Sequence, residues 1–418
     1  MNVGILTIGN ELTSGRTQDA NASFIARSLH RRGWQIAAIM SVGDDDDAIR
    51  GGIDYLLSVA DSLIVTGGLG PTADDITTAA VARTFGLELE TDESVLRHIK
   101  EIMTTRNRPW RSNNAKQALF PAGAGRIINT VGTAWGFYLR KEDKIIAVMP
   151  GVPTEAKKML AEGLIPILCK EFSDDIHVLT RTIKLSGISE STVDQALAGV
   201  AFSDIGVSIG FYPRFPELEL LLTARDISRE RAANKIARAE DEIVRKFSEH
   251  IFAYDHDTLE GVVAALLIER KATLALAESC TGGLIADRLT NVPGSSAFFE
   301  RGLVTYSDAS KEELLMVPPG VIRQHGAVSK ETAVLMAEGV RKLAKTDLGL
   351  STTGIAGPGG GTEEKPVGTV YIAVADRKRT YCRHFSFPFE RRQNKVLTSQ
   401  WALMILKKYL TDGLDCER

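Results

Sequence analysis

Apolar positions recur along the chain in two periods, and the switches between them divide it into three parts. Through the first 170 residues, short apolar runs alternate with stretches of helical spacing. Residues 3–8, 36–42, 62–66 and 145–149 read as strands. Residues 21–32, with Phe24, Ile25 and Leu29 on one side, read as a helix, as do 48–60 and 77–85, and another helix opens at Pro153. This alternation predicts an α/β domain with a largely parallel sheet. Residues 171–253 follow a different order. A strand at 181–185 and a helix at 190–197 precede strands at 207–212 and 218–224, which flank Pro213-Arg214-Phe215-Pro216. A long helix at 229–247, with Ala232, Ile236, Ile243 and Phe247 inward, leads to a strand at 251–254. The order β-α-β-β-α-β suits a small α+β layer, ferredoxin-like or KH-like. Residues 254–418 return to alternation: helices at 258–269, 284–289, 330–345 and 392–409, strands at 273–277 and 348–351, and a hairpin at 368–375 and 380–385. The fold class is therefore α/β, two α/β domains (1–170 and 254–418) joined by a small α+β, KH-like module (171–253).

Chemistry concentrates where strands end. The buried run 273–277 stops at Glu278, Ser279, Cys280 and Thr281, followed by Gly282 and Gly283 and then a helix. A serine there sits at a helix N-terminus, where unpaired N–H groups gather and can meet a developing oxyanion. The same pattern also suits a simple helix cap by Ser279 or Thr281. About thirty residues on, 302–311 reads as a second strand ending in polar residues, and it offers Tyr306 and Lys311 to the same sheet edge. A lysine deprotonates a serine only if burial or nearby cations lower its pKa. Cys280 is a rival nucleophile without a nearby His or Asn in the sequence. Five glycines within Gly354-Ile355-Ala356-Gly357-Pro358-Gly359-Gly360-Gly361 make a loop whose N–H groups can wrap a phosphate, with Arg391 as a candidate cation.

The N-terminal domain has its own glycine loop, Thr66-Gly67-Gly68-Leu69-Gly70-Pro71-Thr72-Ala73-Asp74-Asp75, where an open α/β sheet binds ligands. It is neither a Walker loop nor a dinucleotide fingerprint. Asp74 and Asp75 just beyond can hold a divalent cation that bridges phosphates, with Glu11 and Asp44 at neighbouring strand ends as further candidate members of the site; a tight turn with an Asp cap is the plainer alternative.

Net charge of −3 and 25% charged residues suggest neither a nucleic-acid nor a membrane surface. Cys169, Cys280, Cys382 and Cys416 are scattered without metal-ligand spacing, so a reducing, cytoplasmic location is expected. The N-terminus reads as a strand start rather than a signal peptide, and no run of about eighteen apolar residues predicts a membrane span.

From Ser279 through Tyr306 and Lys311, then Gly326-Ala327-Val328-Ser329, Thr353 to Gly360 and Lys365-Pro366-Val367-Gly368-Thr369-Val370, the chain resembles the C-terminal domain of the CinA family, a nicotinamide mononucleotide deamidase domain. The resemblance implies Ser279 as nucleophile, Lys311 as its base and Tyr306 as an assisting hydrogen-bond donor, with no metal needed. Residues 280–283 would serve the oxyanion, and Thr353, Gly354, Gly357, Gly359, Gly360 and Arg391 the substrate. The chain departs from the family at Phe389-Glu390-Arg391, where Gly-Asp-Arg is usual, and at Lys395, which replaces a second Arg and cannot make a forked contact. The first domain resembles the molybdopterin-binding fold found at the N-terminus of CinA proteins. That implies a divalent-metal ADP-ribose pyrophosphatase, with Asp75 and Asp44 toward the metal. Glu11, Thr66, Gly67, Gly68, Gly70, Asn129, Gly132, Ala134 and Pro153 would then form the ADP-ribose site. The family carries a KH-type module between them, yet here Glu190 stands where a G-x-x-G loop needs its second Gly. A connecting or homodimer-forming role is therefore expected rather than nucleic-acid binding. The alternative to an enzyme is a non-catalytic pterin- or nucleotide-binding protein, or a competence-related interaction protein.

Overall fold

The computed structural model describes residues 1–172 and 176–412; Cys416 and the last residues of the third predicted domain lie outside that range. The chain divides into two compact units, Met1–Leu179 with Arg225–Ala233, and Thr180–Ala224 with Asn234–Arg418. Among the described residues no helix is long and apolar enough to cross a membrane.

The first unit is built on a six-stranded sheet in the order Gln35–Val42, Asn2–Ile8, Ser62–Thr66, Lys144–Met149, Gly136–Lys141, Gly125–Ile127. The first four strands are parallel and the last two antiparallel. Alternation along each strand feeds two cores, as the period of two requires. Leu6, Leu63, Val65, Ile146 and Val148 face one core, where the helix Asp46–Val59 packs with Ile49, Ile53 and Leu56. Val3, Ile5, Ile64, Ile145 and Ala147 face the other, with Ile25 and Leu29 of the helix Ala20–His30. The predicted strands and helices are present with ends shifted by a residue or two. The helix Glu93–Thr105 and the strands Leu89–Thr91, Leu119–Pro121, Gly125–Ile127 and Gly136–Lys141 also lie where the pattern predicts nothing. That helix buries only Val95 and Ile99, three of the strands have three residues each, and in Gly136–Lys141 the apolar Phe137, Tyr138 and Leu139 run together without alternation.

The α+β module has the strand order Val207–Arg214, Glu217–Asp226, His177–Ser186, Ile251–Tyr254. Its long helix, Arg229–Phe247, has the predicted bounds. The turn after His177–Ser186 carries Gly187 in the left-handed region (φ +75°), and a Cβ there would stand 2.6 Å from the Trp401 ring. Trp401 belongs to the closing helix, Arg391–Asp412. The same helix donates from Lys407 Nζ to the Ile251 carbonyl (3.0 Å) and from Gln400 Nε2 to Glu217 Oε1 (3.2 Å). The position where a KH module would clamp nucleic-acid backbone is thus laid against a helix of the same chain.

The last domain carries a five-stranded sheet in the order Phe299–Val304, Leu274–Glu278, Leu348–Gly354, Thr369–Ala375, Thr380–Ser386. The first three strands are parallel and the rest antiparallel. Leu274 and Leu276 point into a core with the helices Leu259–Glu269 and Arg391–Asp412. Ala275 and Ala277 point to the opposite face, against Met336 and Val340 of the helix Lys330–Ala344. Small residues in the central strand let that helix approach closely: a Cβ at Gly349 would stand 2.1 Å from the Ala337 carbonyl oxygen. The three parallel strands all end at one edge, and their following loops carry the candidate residues.

Gly187→Ala should destabilise the protein by about 1–3 kcal/mol, through a strained φ and a clash with Trp401. Chemical denaturation measures the loss; an unchanged midpoint would mean that the turn is not seated on the helix.

Candidate active site

Ser279 leaves the strand Leu274–Glu278 with its N–H bonded to the Thr352 carbonyl (3.0 Å). Its own carbonyl accepts from Gly282 N–H (3.2 Å), closing a tight turn, and Gly282 and Gly283 take positive φ within it. Neither Ser279 nor Thr281 caps the helix Leu284–Thr290. Glu278 does so from behind. Its carboxylate is buried and accepts from the N–H groups of Gly283 (3.0 Å), Ile285 (3.2 Å) and Ala286 (2.8 Å). The capping alternative for Ser279 is therefore corrected: a stronger acceptor already occupies those donors and leaves the serine hydroxyl for other work. Among the described residues, the N–H groups of Cys280 and Thr281 have no protein acceptor. The Thr281 side chain shares a hydrogen bond with Thr352 (2.8 Å between hydroxyls).

Lys311 is not at a strand end. The strand Phe299–Val304 stops early, and Ser307 caps a helix, Asp308–Leu315, that carries the lysine one turn in. Lys311 and Leu315 are the buried positions of that helix, four residues apart on one face. Lys311, only 1% exposed, thus sits in an apolar stripe. Its Nζ stands 3.3 Å from Ser279 Oγ, 3.0 Å from the Thr305 carbonyl, 3.1 Å from that of Tyr306 and 3.4 Å from that of Ser307. Burial pulls its pKa below the ordinary lysine value, and Asp308 only partly opposes that. Cys280, the rival nucleophile, is packed in the core, and burial pushes its thiol up to about 12. It remains a thiol at neutral pH.

The sequence groups Tyr306 with Ser279, and the structure gives it two different partners. Its main-chain carbonyl accepts from Lys311, while its exposed hydroxyl meets Arg391 Nη2 at 3.0 Å. Arg391 also donates to the Gly357 carbonyl (2.7 Å), which ties the guanidinium to the glycine loop. Thr353 is buried under that loop and donates to the Ala327 carbonyl (2.7 Å). Gly359 and Gly360 are exposed at the tip. A cleft of about 660 Å³ runs over this edge, lined by Thr281, Gly282, Gly283, Arg391, Arg392 and Lys395 among others. The Lys395 amine overhangs Gly282, 3.3 Å from where a Cβ would lie. Arg392 and the roles of Glu278 and Asn394 are not evident from the sequence. Asn394 is buried and donates to the carbonyls of both Ala356 and Phe389, and only an i+3 offset from Arg391 hints at it.

In the N-terminal unit, Thr66 ends a fully buried strand. Gly67 takes φ +110°, and a Cβ there would lie 2.1 Å from the Ile8 carbonyl oxygen, so only glycine fits. Gly68 is likewise pressed on Thr77. Asp75 accepts from Thr72 N–H (2.8 Å) and Thr72 Oγ1 (2.6 Å), closing the loop beside Gly70. Asp44 accepts from Asn10 N–H (2.9 Å), while Glu11 lies over Gly9. Asn129 is fully buried and spends its amide on Val131, Gly132, Ala134 and Glu155, so it shapes the 129–134 loop. Pro153 is exposed at the start of the helix Pro153–Met159. Among the described residues no three His, Cys, Asp or Glu side chains gather into a metal-holding group. Glu11, Asp44 and Asp75 therefore do not form an all-protein metal site.

Glu278→Gln should cost about 2–3 kcal/mol, because an amide NH2 would face donors that now share a carboxylate. Denaturant unfolding reads the loss. A change below about 0.5 kcal/mol would show that the carboxylate does not hold the turn.

Residues 256–410 match the family described as CinA C-terminal domain, residues 4–170 the "Probable molybdopterin binding domain", and residues 180–253 the Damage-inducible protein CinA KH domain. A CinA-like protein of Syntrophus aciditrophicus is 58% identical over 99% of both chains. One from Geotalea uraniireducens is 41% identical over 98% of both. A solved competence-damaged protein (CinA) superfamily structure from Klebsiella pneumoniae is 34% identical, covering 36% of this chain and 95% of its own, with a TM-score of 0.36. Matched from end to end by such relatives, and carrying all three constituent domains in order, the chain belongs to the CinA family.

Proposed function

We propose that the C-terminal domain hydrolyses the carboxamide of nicotinamide mononucleotide to nicotinic acid mononucleotide and ammonia. The observation that carries this reading is the buried Lys311 amine 3.3 Å from Ser279 Oγ. A neutral amine has two N–H donors and one lone pair. The two nearer carbonyls, Thr305 and Tyr306, take the donors, and the more distant Ser307 carbonyl already accepts from the Lys311 main-chain N–H (3.3 Å). That leaves the lone pair for the serine hydroxyl.

In this reading Ser279 Oγ bonds to the carboxamide carbon while its proton passes to Lys311 Nζ. The carbonyl oxygen gains negative charge, and the N–H groups of Cys280 and Thr281 are the donors still open to it. Lys311 then returns the proton to the amide nitrogen, the C–N bond breaks, and ammonia leaves. Water attacks the resulting ester with Lys311 again taking the proton, nicotinic acid mononucleotide departs, and Ser279 is restored. Arg391 and the 354–360 loop supply positive charge and N–H groups for the phosphate, with the Tyr306 hydroxyl orienting the guanidinium. Lys395 adds a point charge at the cleft.

For the N-terminal unit the supported reading is narrower: cleavage of ADP-ribose, its diphosphate resting on the Gly67–Gly70 turn. Any divalent ion would take most of its ligands from that diphosphate.

Ser279→Ala should reduce ammonia release by at least about a thousandfold and leave ADP-ribose cleavage intact. Lys311→Arg should do the same, since an arginine cannot accept the proton. Loss of both activities, or of neither, would sink the division of labour. The sign of the pH dependence follows from Lys311: its protonated form is inactive, so kcat/KM should rise with pH along a single acid limb. Burial should place the midpoint of that limb below the ordinary lysine value. Chelation should spare ammonia release and suppress ADP-ribose cleavage. A pterin- or partner-binding protein without chemistry would release no ammonia under any of these conditions.

A further inference from the structure

Two sequence features have no part in the chemistry above, the Pro213-Arg214-Phe215-Pro216 turn and the aromatic Phe389 just ahead of Arg391. The structure brings them together. The strands Val207–Arg214 and Glu217–Asp226 stay in register until Arg214 faces Glu217, so Phe215 and Pro216 form a two-residue tip. The Phe215 ring meets Phe389 edge-to-face, with centroids 5.8 Å apart and planes at 63°. Both rings are about half exposed. Directly after the tip, Glu217 is held by Gln400, whose amide oxygen accepts from Arg288. The tip is therefore fixed on the same helix, Arg391–Asp412, that begins with the candidate phosphate ligand.

The main chain of Phe389 is pinned as well. Asn394 donates to its carbonyl (2.8 Å) and accepts from its N–H (3.3 Å), and the same amide donates to Ala356 in the glycine loop (3.1 Å). Two residues on, Arg391 spans Gly357 and the Tyr306 hydroxyl. A ring locked at 389 and a backbone locked at 389 leave the guanidinium little freedom to swing from the loop. An arginine held in place beforehand has less rotamer freedom to lose when it binds an anion.

We propose that Phe215 is a positioning residue for the C-terminal site: the α+β module, through its hairpin tip, holds the 389–391 turn and so sets Arg391 for the substrate phosphate. This rests on the reading of Arg391 as a phosphate ligand. It gives the middle module a task within this chain, in which its turns read a helix and a ring rather than nucleic acid.

The test measures binding and turnover separately. Binding of nicotinamide mononucleotide and of nicotinamide riboside, which lacks the phosphate, is titrated by calorimetry into full-length Ser279→Ala protein with and without Phe215→Ala. The mononucleotide should bind about 3- to 10-fold more weakly after Phe215→Ala, the range that an edge-to-face pair contributes, while the riboside is unaffected. In the Ser279 protein, KM should rise by the same factor while kcat moves less than about twofold. Phe389→Ala should match Phe215→Ala, the double variant should add nothing further, and Phe215→Trp should restore binding. Unchanged mononucleotide affinity, or equal weakening for the riboside, overturns the proposal. If wild-type protein binds the mononucleotide, weakens with Phe215→Ala and yet releases no ammonia, the deamidase reading falls and the positioning role stands. No mononucleotide binding by the Ser279→Ala protein overturns both.

Discussion

Glu278 ends the middle one of the three parallel strands of the last domain with its carboxylate folded under the turn that follows, and three backbone N–H groups converge on it. A buried charge is tolerated only when its acceptor sites are filled, and here the filling is done by the start of the next helix. The turn is thereby fixed at both ends, by the sheet on one side and by the helix N-terminus on the other. The hydroxyl of Ser279 and the amides of Cys280 and Thr281 are presented from a backbone that cannot relax. A helix start usually offers its N–H groups to a ligand; this one has given them to its own chain.

The second buried charge works by the opposite logic. Lys311 lies in an apolar stripe and is surrounded by carbonyls, with Asp308 too weak an influence to keep its pKa up. Paired charge would make the amine a poor base; burial that outweighs the influence of Asp308 is what makes it a usable one. The two residues thus divide the cost of polarity in the core. Glu278 has its oxygens filled by backbone donors, whereas Lys311 is left adjustable between its two protonation states.

Much of this was legible in the residues. Period-two runs such as 62–66 and 273–277, and the helical spacing of 229–247, located the sheets and helices because each must bury one face. The three-part division and the family followed from motifs in order. What stayed hidden had physical reasons. The 302–311 stretch looked continuous as a strand, since apolar Leu303 and Val304 precede Tyr306, and the cap at Ser307 was masked by its polar neighbours. The hydroxyls that flank the helix Leu284–Thr290 read as its cap, but the longer side chain of Glu278 reaches its N–H groups from inside the strand. Asn129 was grouped with ligand-facing residues by its motif, although its amide is consumed in shaping a loop. The acids Glu11, Asp44 and Asp75 share a sheet edge in sequence terms, while their side chains have settled on separate local donors or turns. Contacts between segments far apart in sequence, such as Phe215 with Phe389, have no periodic signature at all.

The seating of Gly187 on Trp401 bears on how this chain can be cut. The indole also lies against Phe385, 4.9 Å between centroids with the planes at 37°, so one edge of an aromatic cluster is roofed by a bare backbone. Excision of the last domain as a stand-alone fragment would remove the roof and bare the aromatic rings to solvent. A truncated form would need polar replacements there to stay dispersed, and domain shuffling that kept Trp401 would have to bring a glycine turn along with it.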